Sequence, residues 1–227
     1  MASIDKVYRT VKNLANKEQK GFISPSIFNR FAVIAQQNIY NELFQELVDA
    51  KRISRQNLDP GRDKSVRKRT LEDLSPFVTR VYNLTPVETL NHIYLKPSNL
   101  SRIISISVNN TDETESTGYT IDKKNIEIVY DVEKMDKILG SRLSGPTAGY
   151  PVALISDEIE VYPRNLVSSI DITYYRVPGG ITSSGNYTDF DPQWVPDTEL
   201  DAAELDVPNI DATIDFMLPE HYTSEIV

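Results

Sequence analysis

Apolar residues recur every three or four positions over the first fifty residues, and this spacing predicts two helices. The first covers about Ile4–Ala15. The second is capped by Ser24, has Pro25 at its first helical position and continues to about Lys51. At 1.5 Å per residue it forms a rod of roughly 40 Å, which is long for a chain of this size.

The apolar stripe of the second helix is wide enough to face two neighbours, so we expect it to pack also against another copy of the chain or against the sheet of its own body. An aspartate in place of Phe44 should then prevent assembly. The residues expected to form these subunit contacts are Phe28, Phe31, Ile39, Tyr40, Phe44 and Val48.

From about Leu90 onward the pattern changes to short runs rich in Ile, Val and Tyr, several of which alternate with polar residues as antiparallel strands do. One short helix, Val132–Leu139, interrupts them and is stopped by Gly140. The predicted fold class is therefore α+β. It has N-terminal helices including one long helix, a mostly antiparallel β region with a short inserted helix, and an extended acidic C-terminal arm.

This division predicts a body over residues 1–176, which the family resemblance described below implies to be ring-forming, and an arm over residues 177–227. Within the body, the helical part covers about 1–85 and the β-rich part about 86–176.

The expected arm differs from the rest of the chain in charge. Its 51 residues contain seven Asp, four Glu and no Lys or Arg, whereas the whole chain carries -9. Five prolines interrupt it, and apolar residues are spread among its acids. Such a segment is either an unstructured tail or an arm that becomes ordered on a partner, and its apolar content favours the arm. A chain cut after Gly180 should then remain folded. The residues expected to dock are Trp194, Leu200, Phe216, Leu218, Tyr222 and Ile226.

Between Lys51 and Arg69 eight basic residues accompany only two acids, and Asp59-Pro60-Gly61 indicates a turn or loop there. Three interpretations stay open: a solvated loop, a surface facing passing DNA, and a protein surface that receives acidic arms. The basic residues concerned are Lys51, Arg52, Arg55, Arg62, Lys64, Arg67, Lys68 and Arg69.

Composition offers little support for an enzyme. The chain has no cysteine, and its two histidines, His92 and His221, have no second histidine at metal-ligand spacing. No nucleophile and base can be paired. We therefore expect no catalytic residues, no metal and no cofactor. No stretch approaches the roughly 18 apolar residues of a membrane helix, so we expect no membrane partner.

Two separated segments resemble one family. The first carries Gln19, Gly21, Phe22 and Pro25, followed by Phe28-Asn29 and Ala35-Gln36 on the long helix; the second is the ending Asp215–Val227. Together they cover about a fifth of the chain and are similar to ring, or head-to-tail connector, proteins of crAss-like and related short-tailed phages of Bacteroides.

The resemblance implies a non-enzymatic structural subunit of the virion. Its partners would be other copies in a homo-oligomeric ring, the portal protein, and adjacent ring or tail proteins. Genomic DNA would pass through the channel without sequence-specific binding. The subunit would reside in the virion, and in the host cytoplasm during assembly.

Two alternatives remain at this point. One is a hydrolase carried in the tail, which would be a small oligomer and not a large ring. The other is a soluble adaptor whose acidic arm binds a basic partner, with affinity that falls steeply as salt rises.

Overall fold

The structure is a computed structural model that describes residues 1–17, 23–55, 60–87, 92–108, 124–143, 145–164, 169–197 and 207–227, with backbone alone for 51–55 and 60–66. The helices are α1 (Ile4–Lys17), α2 (Pro25–Arg55), α3 (Pro60–Asp73), α4 (Val132–Gly140) and α5 (Thr223–Ile226). The strands are β1 (Val78–Leu84), β2 (Ile93–Tyr94), β3 (Leu100–Val108), β4 (Lys124–Asn125), β5 (Glu127–Val129), β6 (Val152–Ile155), β7 (Ile159–Tyr162), β8 (Ile170–Arg176), β9 (Gly180–Ile181), β10 (Tyr187–Thr188) and β11 (Asp215–Phe216). The fold class is α+β, as the sequence predicts.

The chain forms two compact units, and they divide it differently from the sequence-based division. The helical unit consists of Met1–Phe77 together with Pro178–Val227, and the sheet unit consists of Val78–Val177. The acidic C-terminal residues therefore belong with the first helices. A boundary does fall near residue 176, between Val177 and Pro178, but the residues beyond it do not form a separate arm, because several of their apolar side chains complete the core of the helical unit.

In the helical unit, α2 is the longest element, with 31 residues. Ser24 Oγ accepts a hydrogen bond of 3.4 Å from the backbone N–H of Ile27, which supports the predicted start of this helix. α2 packs against α3, and one-turn 3₁₀ helices precede β1 and α5. The small sheet β10-β9-β11 is antiparallel.

The turn signal at residues 59–61 overlaps the beginning of a helix. Residues 56–59 lie outside the described part of the chain, but a helix begins at Pro60. Proline is favoured in the first helical turn, where its missing N–H has no intrahelical partner to lose. The basic segment therefore ends in helix α3 and is not a loop throughout.

The sheet unit contains two four-stranded sheets, ordered β1-β8-β3-β4 and β2-β7-β6-β5. Every neighbouring pair is antiparallel except β5 and β6. One buried cluster joins the two sheets, with Ile106 and Ile172 contributed by one and Ala153 and Val161 by the other. The two sheets thus share one core, like the layers of a sandwich.

Strand β1 is the main element that the sequence pattern does not identify. It lies inside the region expected to be helical, up to residue 85, and it pairs with β8 through Val81 and Ile172. Its register shifts between Val81 and Leu84, and Asn83 has a positive φ of 54°. Asparagine tolerates this left-handed conformation better than most residues, and the irregularity interrupts the alternation that would mark a strand.

Candidate functional site

The candidate site is the surface of α2 together with the C-terminal segment that packs on it, residues 178–227 as far as they are described. Two side-chain amides of α2 hold this segment. Asn29 accepts a hydrogen bond from the Trp194 N–H at 2.9 Å and donates one to the Trp194 carbonyl at 3.1 Å. Gln36, which is buried, donates to the Gly179 carbonyl at 2.7 Å and accepts from the Met217 N–H at 2.9 Å.

Trp194 fills the space between α1 and α2. Its ring stacks on Tyr8 with centroids 4.1 Å apart, and Tyr8 in turn meets Phe28 edge-on at 5.0 Å. The indole N–H donates to Asp5 at 3.1 Å, so the polar atom of this buried ring is satisfied. A tryptophan fixed by stacking and by a hydrogen bond is a core residue of the chain that carries it.

The ending of the chain also meets its beginning. The Ala2 N–H donates to the Leu218 carbonyl and the Ile4 N–H to the Asp215 carboxylate, both at 2.8 Å. The Asp215 carboxylate therefore satisfies one of the otherwise unpaired N–H groups of the first turn of α1 and complements the positive end of its dipole. Gly180 lets the chain pass closely, since a β-carbon there would collide with Ile214.

The Asp73 carboxylate, at the end of α3, contacts two residues near the end of the chain, Tyr222 and His221. Asp73 is buried, accepts a hydrogen bond from the Tyr222 hydroxyl at 3.1 Å, and lies 3.3 Å from Nε2 of His221. Burial first, and then the Asp73 charge, raise the pKa of the Tyr222 phenol well above its ordinary value. The phenol therefore stays protonated and serves as a donor to Asp73.

At the surface, Lys6 Nζ donates to the Glu220 carboxylate at 2.9 Å. This hydrogen bond raises the pKa of Lys6 and lowers that of Glu220. Because both groups are solvated, the pair guides the segment towards α1 and adds little stability.

These contacts correct the expectation of an arm that docks elsewhere. Trp194, Phe216, Leu218 and Tyr222 are all buried within their own chain. Ile226 is half-buried, and Leu200 lies outside the described residues. The segment is acidic, but these four large apolar side chains are already used in the helical unit.

The expected subunit-packing residues divide into two groups. Four of them are buried in the chain's own core, because this side of α2 faces α1, α3 and the C-terminal segment: Phe28, Ile39, Tyr40 and Phe44. These four pack within their own chain and not, as expected, against another copy. Phe31 and Val48 are different, with exposed fractions of 66% and 52%. Only these two of the six remain accessible to a neighbour.

The expected basic surface is described in part. The side chains of Lys51, Arg52, Arg55, Arg62 and Lys64 lie outside the described residues, so their placement stays a prediction. Arg67, Lys68 and Arg69 are exposed on α3. Lys68 lies 3.6 Å from Glu72, and Arg69 lies 3.9 Å from Asp73. The first is a solvated (i, i+4) pair of small energetic value, whereas the second joins the exposed Arg69 to the buried carboxylate of Asp73.

An apolar groove of about 490 Å³ opens beside the exposed face of α2. Phe31 and Ile34 on α2, Val11 on α1, and Ile226 near the end of the chain form its walls. The groove lies on the surface of the helical unit, and none of the side chains that line it is charged.

Asn29, Gln36 and Asp73 are the important residues that sequence reasoning did not place in a site. Asn29 and Gln36 belong to the segment that carries the family resemblance, but no role was assigned to them. The available signal was Gln36 itself. An amide on the apolar side of a helix must find partners when it is buried, so its position between Ala32 and Tyr40 predicts a polar contact made by an incoming chain.

Within the described ranges, no group of three or more His, Cys, Asp or Glu side chains is arranged to hold a metal ion. The helices that the structure describes are too short or too polar to cross a bilayer. No protein-family model matches the sequence, and a search of curated proteins finds no relative.

Proposed function

We propose that this chain is a non-enzymatic structural subunit of a phage virion that forms a ring in the head-to-tail connector. The ring stacks on the portal or on an adjoining ring, and genomic DNA passes through its centre without sequence-specific binding. The proposal begins from the resemblance of two separate sequence segments to such proteins.

One observation carries the proposal beyond that resemblance. Gln36, in the first segment, accepts a hydrogen bond from Met217, in the second, at 2.9 Å. The two similar segments, separated by 181 positions between these residues, meet in the folded chain. Their contact supports one structural module, and a shared module is what a family likeness requires.

The surface of α2 is consistent with assembly. Ile27, Phe31 and Ile34 expose 49%, 66% and 54% of their surfaces on one side of this helix. Contiguous exposed apolar surface of this kind marks a contact with another molecule. The exposed Arg67, Lys68 and Arg69 on α3 would face either the DNA channel or an acidic neighbour in the ring.

The test is to express the chain together with the portal protein encoded in the same genome and to image the product by electron microscopy. We expect ring-shaped density stacked on the portal. Reversal of Arg67, Lys68 and Arg69 to Glu then separates the two roles of α3: lost ring assembly indicates a protein contact, and intact particles with poor DNA retention indicate a channel surface. A chain that never joins portal complexes, and that mass spectrometry does not find in purified virions, contradicts the proposal.

A further inference from the structure

The outer face of α2 carries a regular pattern that the core of the helical unit does not use. Seven exposed residues follow one another at strict alternating steps of four and three, which places them in one narrow stripe along the helix. They are Ile27, Phe31, Ile34, Asn38, Asn41, Gln45 and Val48. None of the seven is charged.

This spacing is that of the contact positions in packed helix pairs, where side chains of one helix enter spaces on the other. The outer stripe, as this set of seven is called below, is apolar towards its ends and carries amides in the middle. Uncharged amides at such positions pair with similar amides and fix the register, at a cost in stability. The stripe therefore suits a partner helix that also presents amides at its centre.

We propose that the partner is a second copy of this chain, with the two α2 helices packed antiparallel through their outer stripes. A two-fold pairing centred between Ile39 and Tyr40 places Phe31 opposite Val48 of the other copy. It also places Ile34 opposite Gln45 and Asn38 opposite Asn41. The amides then meet amides, and the largest exposed apolar residue meets an apolar one.

Charge favours the antiparallel direction. The N-terminal half of the stripe is flanked by Arg30, and by Lys12 beside the groove residue Val11. Among the side chains that the structure describes, the C-terminal half is flanked by Glu42, Glu46 and Asp49; Lys51, Arg52 and Arg55 follow further along the helix. An antiparallel pair sets Arg30 of one copy opposite Asp49 of the other, whereas a parallel pair would set Glu42, Glu46 and Asp49 of one copy beside the same residues of the other.

The pairing goes beyond the proposed function, because a two-fold contact closes a dimer and does not by itself build a cyclic ring. In a connector it would hold free subunits before assembly or join copies from two rings. The co-expression of the chain with the portal protein, described above, can therefore succeed or fail without deciding whether this dimer forms.

The chain has no cysteine, so single introduced thiols report the geometry directly. Ile34→Cys and Gln45→Cys are prepared separately, one with an affinity tag that shifts its gel position, and are oxidised alone and as a mixture. In the antiparallel pair, positions 34 and 45 face each other, while identical positions are roughly 16 Å apart along the axis, too far for a disulfide. The mixture should cross-link between unlike chains, and each variant alone should not.

Leu143→Cys is the matched control, because Leu143 is 99% exposed in the sheet unit and measures random collision. Phe31→Glu should keep the far-ultraviolet circular dichroism of the native chain and weaken dimerisation at least about tenfold in sedimentation experiments. Self-linking of each single variant above the Leu143→Cys level would establish a parallel pair and overturn the inference. A monomer at all concentrations, or binding only to a foreign helix, would overturn it as well.

Discussion

Gln36 shows how much of this architecture depends on single polar side chains. Its amide is buried and makes one hydrogen bond to the chain just after the sheet unit and another near the end of the chain. A buried polar group that loses its partner costs more than an average hydrogen bond contributes, since it cannot return to water. Gln36 thereby selects one path for the C-terminal segment.

Replacing Gln36 by leucine should lower the free energy of unfolding of the helical unit by about 2–4 kcal/mol, because the Gly179 carbonyl and the Met217 N–H both lose their partner. Gln37→Leu is the matched control, since Gln37 is exposed on the next position of the same helix. Urea denaturation of both variants provides the measurement. Equal effects of the two substitutions would contradict this role for Gln36.

Tyr222 should make the stability of the folded chain sensitive to alkaline pH. Near neutral pH its phenol is protonated in both folded and unfolded chains, so it causes no pH dependence. Burial and Asp73 raise its pKa in the folded state above the ordinary 10.0. Above about pH 10 the unfolded chain releases the proton while the folded chain keeps it, and stability falls as pH rises.

Tyr222→Phe should therefore lose less stability than the native chain between about pH 9 and pH 11, although it starts about 1–3 kcal/mol lower at neutral pH through the lost hydrogen bond. Melting curves across this range test the point. Tyr150→Phe, at an exposed tyrosine, should follow the native curve. Parallel curves for the native chain and Tyr222→Phe would show that the phenol does not titrate as described.

At the scale of elements, α2 has a buried face and an exposed face, and a substitution should affect stability differently on each. Phe44 is buried, whereas Phe31 is 66% exposed. Phe44→Asp should cost more than about 4 kcal/mol, since it leaves a cavity and buries a charge. Phe31→Asp should change the stability of the monomer by less than about 0.5 kcal/mol. Thermal unfolding at low protein concentration distinguishes the two variants. Similar losses of stability in both would mean that the outer face of α2 is also covered in the monomer.

The elements that the sequence predicts best are those with local signals. Helix α4 begins where expected because the Asp131 side chain accepts from the Glu133 and Lys134 N–H groups, and such capping is readable from neighbouring residues. Strand β1 was missed because its pairing partner, β8, lies about 90 residues away and its own alternation is broken near Asn83. Local pattern cannot reveal a pairing that only the folded chain creates.

The candidate site was predicted less well than the fold, for a related reason. The apolar residues of the C-terminal segment were recognised as contact residues, but their partner was placed on another subunit. Sequence alone shows that Trp194 and Phe216 need a surface; it does not show that Tyr8 and the interior side of α2 provide one. Net charge was misleading here, since most of the acids that the structure describes in this segment are exposed to solvent and do not prevent Trp194 and Phe216 from packing.

At the scale of the molecule, removal of the C-terminal segment is the decisive change. A chain ending at Gly180 loses the buried Trp194, Phe216, Met217 and Leu218. Four such residues contribute roughly 6–12 kcal/mol, comparable with the total stability of a small domain. The helical unit should therefore lose cooperative unfolding, while the sheet unit keeps its own core. Hydrogen exchange should show fast exchange in α2 and continued protection in β3 and β8; protected α2 amides in the shortened chain would restore the interpretation as a dispensable arm.

The division of the helical unit between the two ends of the chain also affects its synthesis. The ribosome releases Met1–Phe77 first, and the 100 residues of Val78–Val177 must follow before Trp194 or Phe216 can emerge. At roughly 5–20 residues per second this delay lasts about 5–20 s. During that time the interior side of α2 lacks the part of its cover that the C-terminal segment provides, and chaperones or other nascent chains have access to it. The sheet unit is continuous in sequence and can therefore fold before β11, the last strand of the helical unit, has been synthesised.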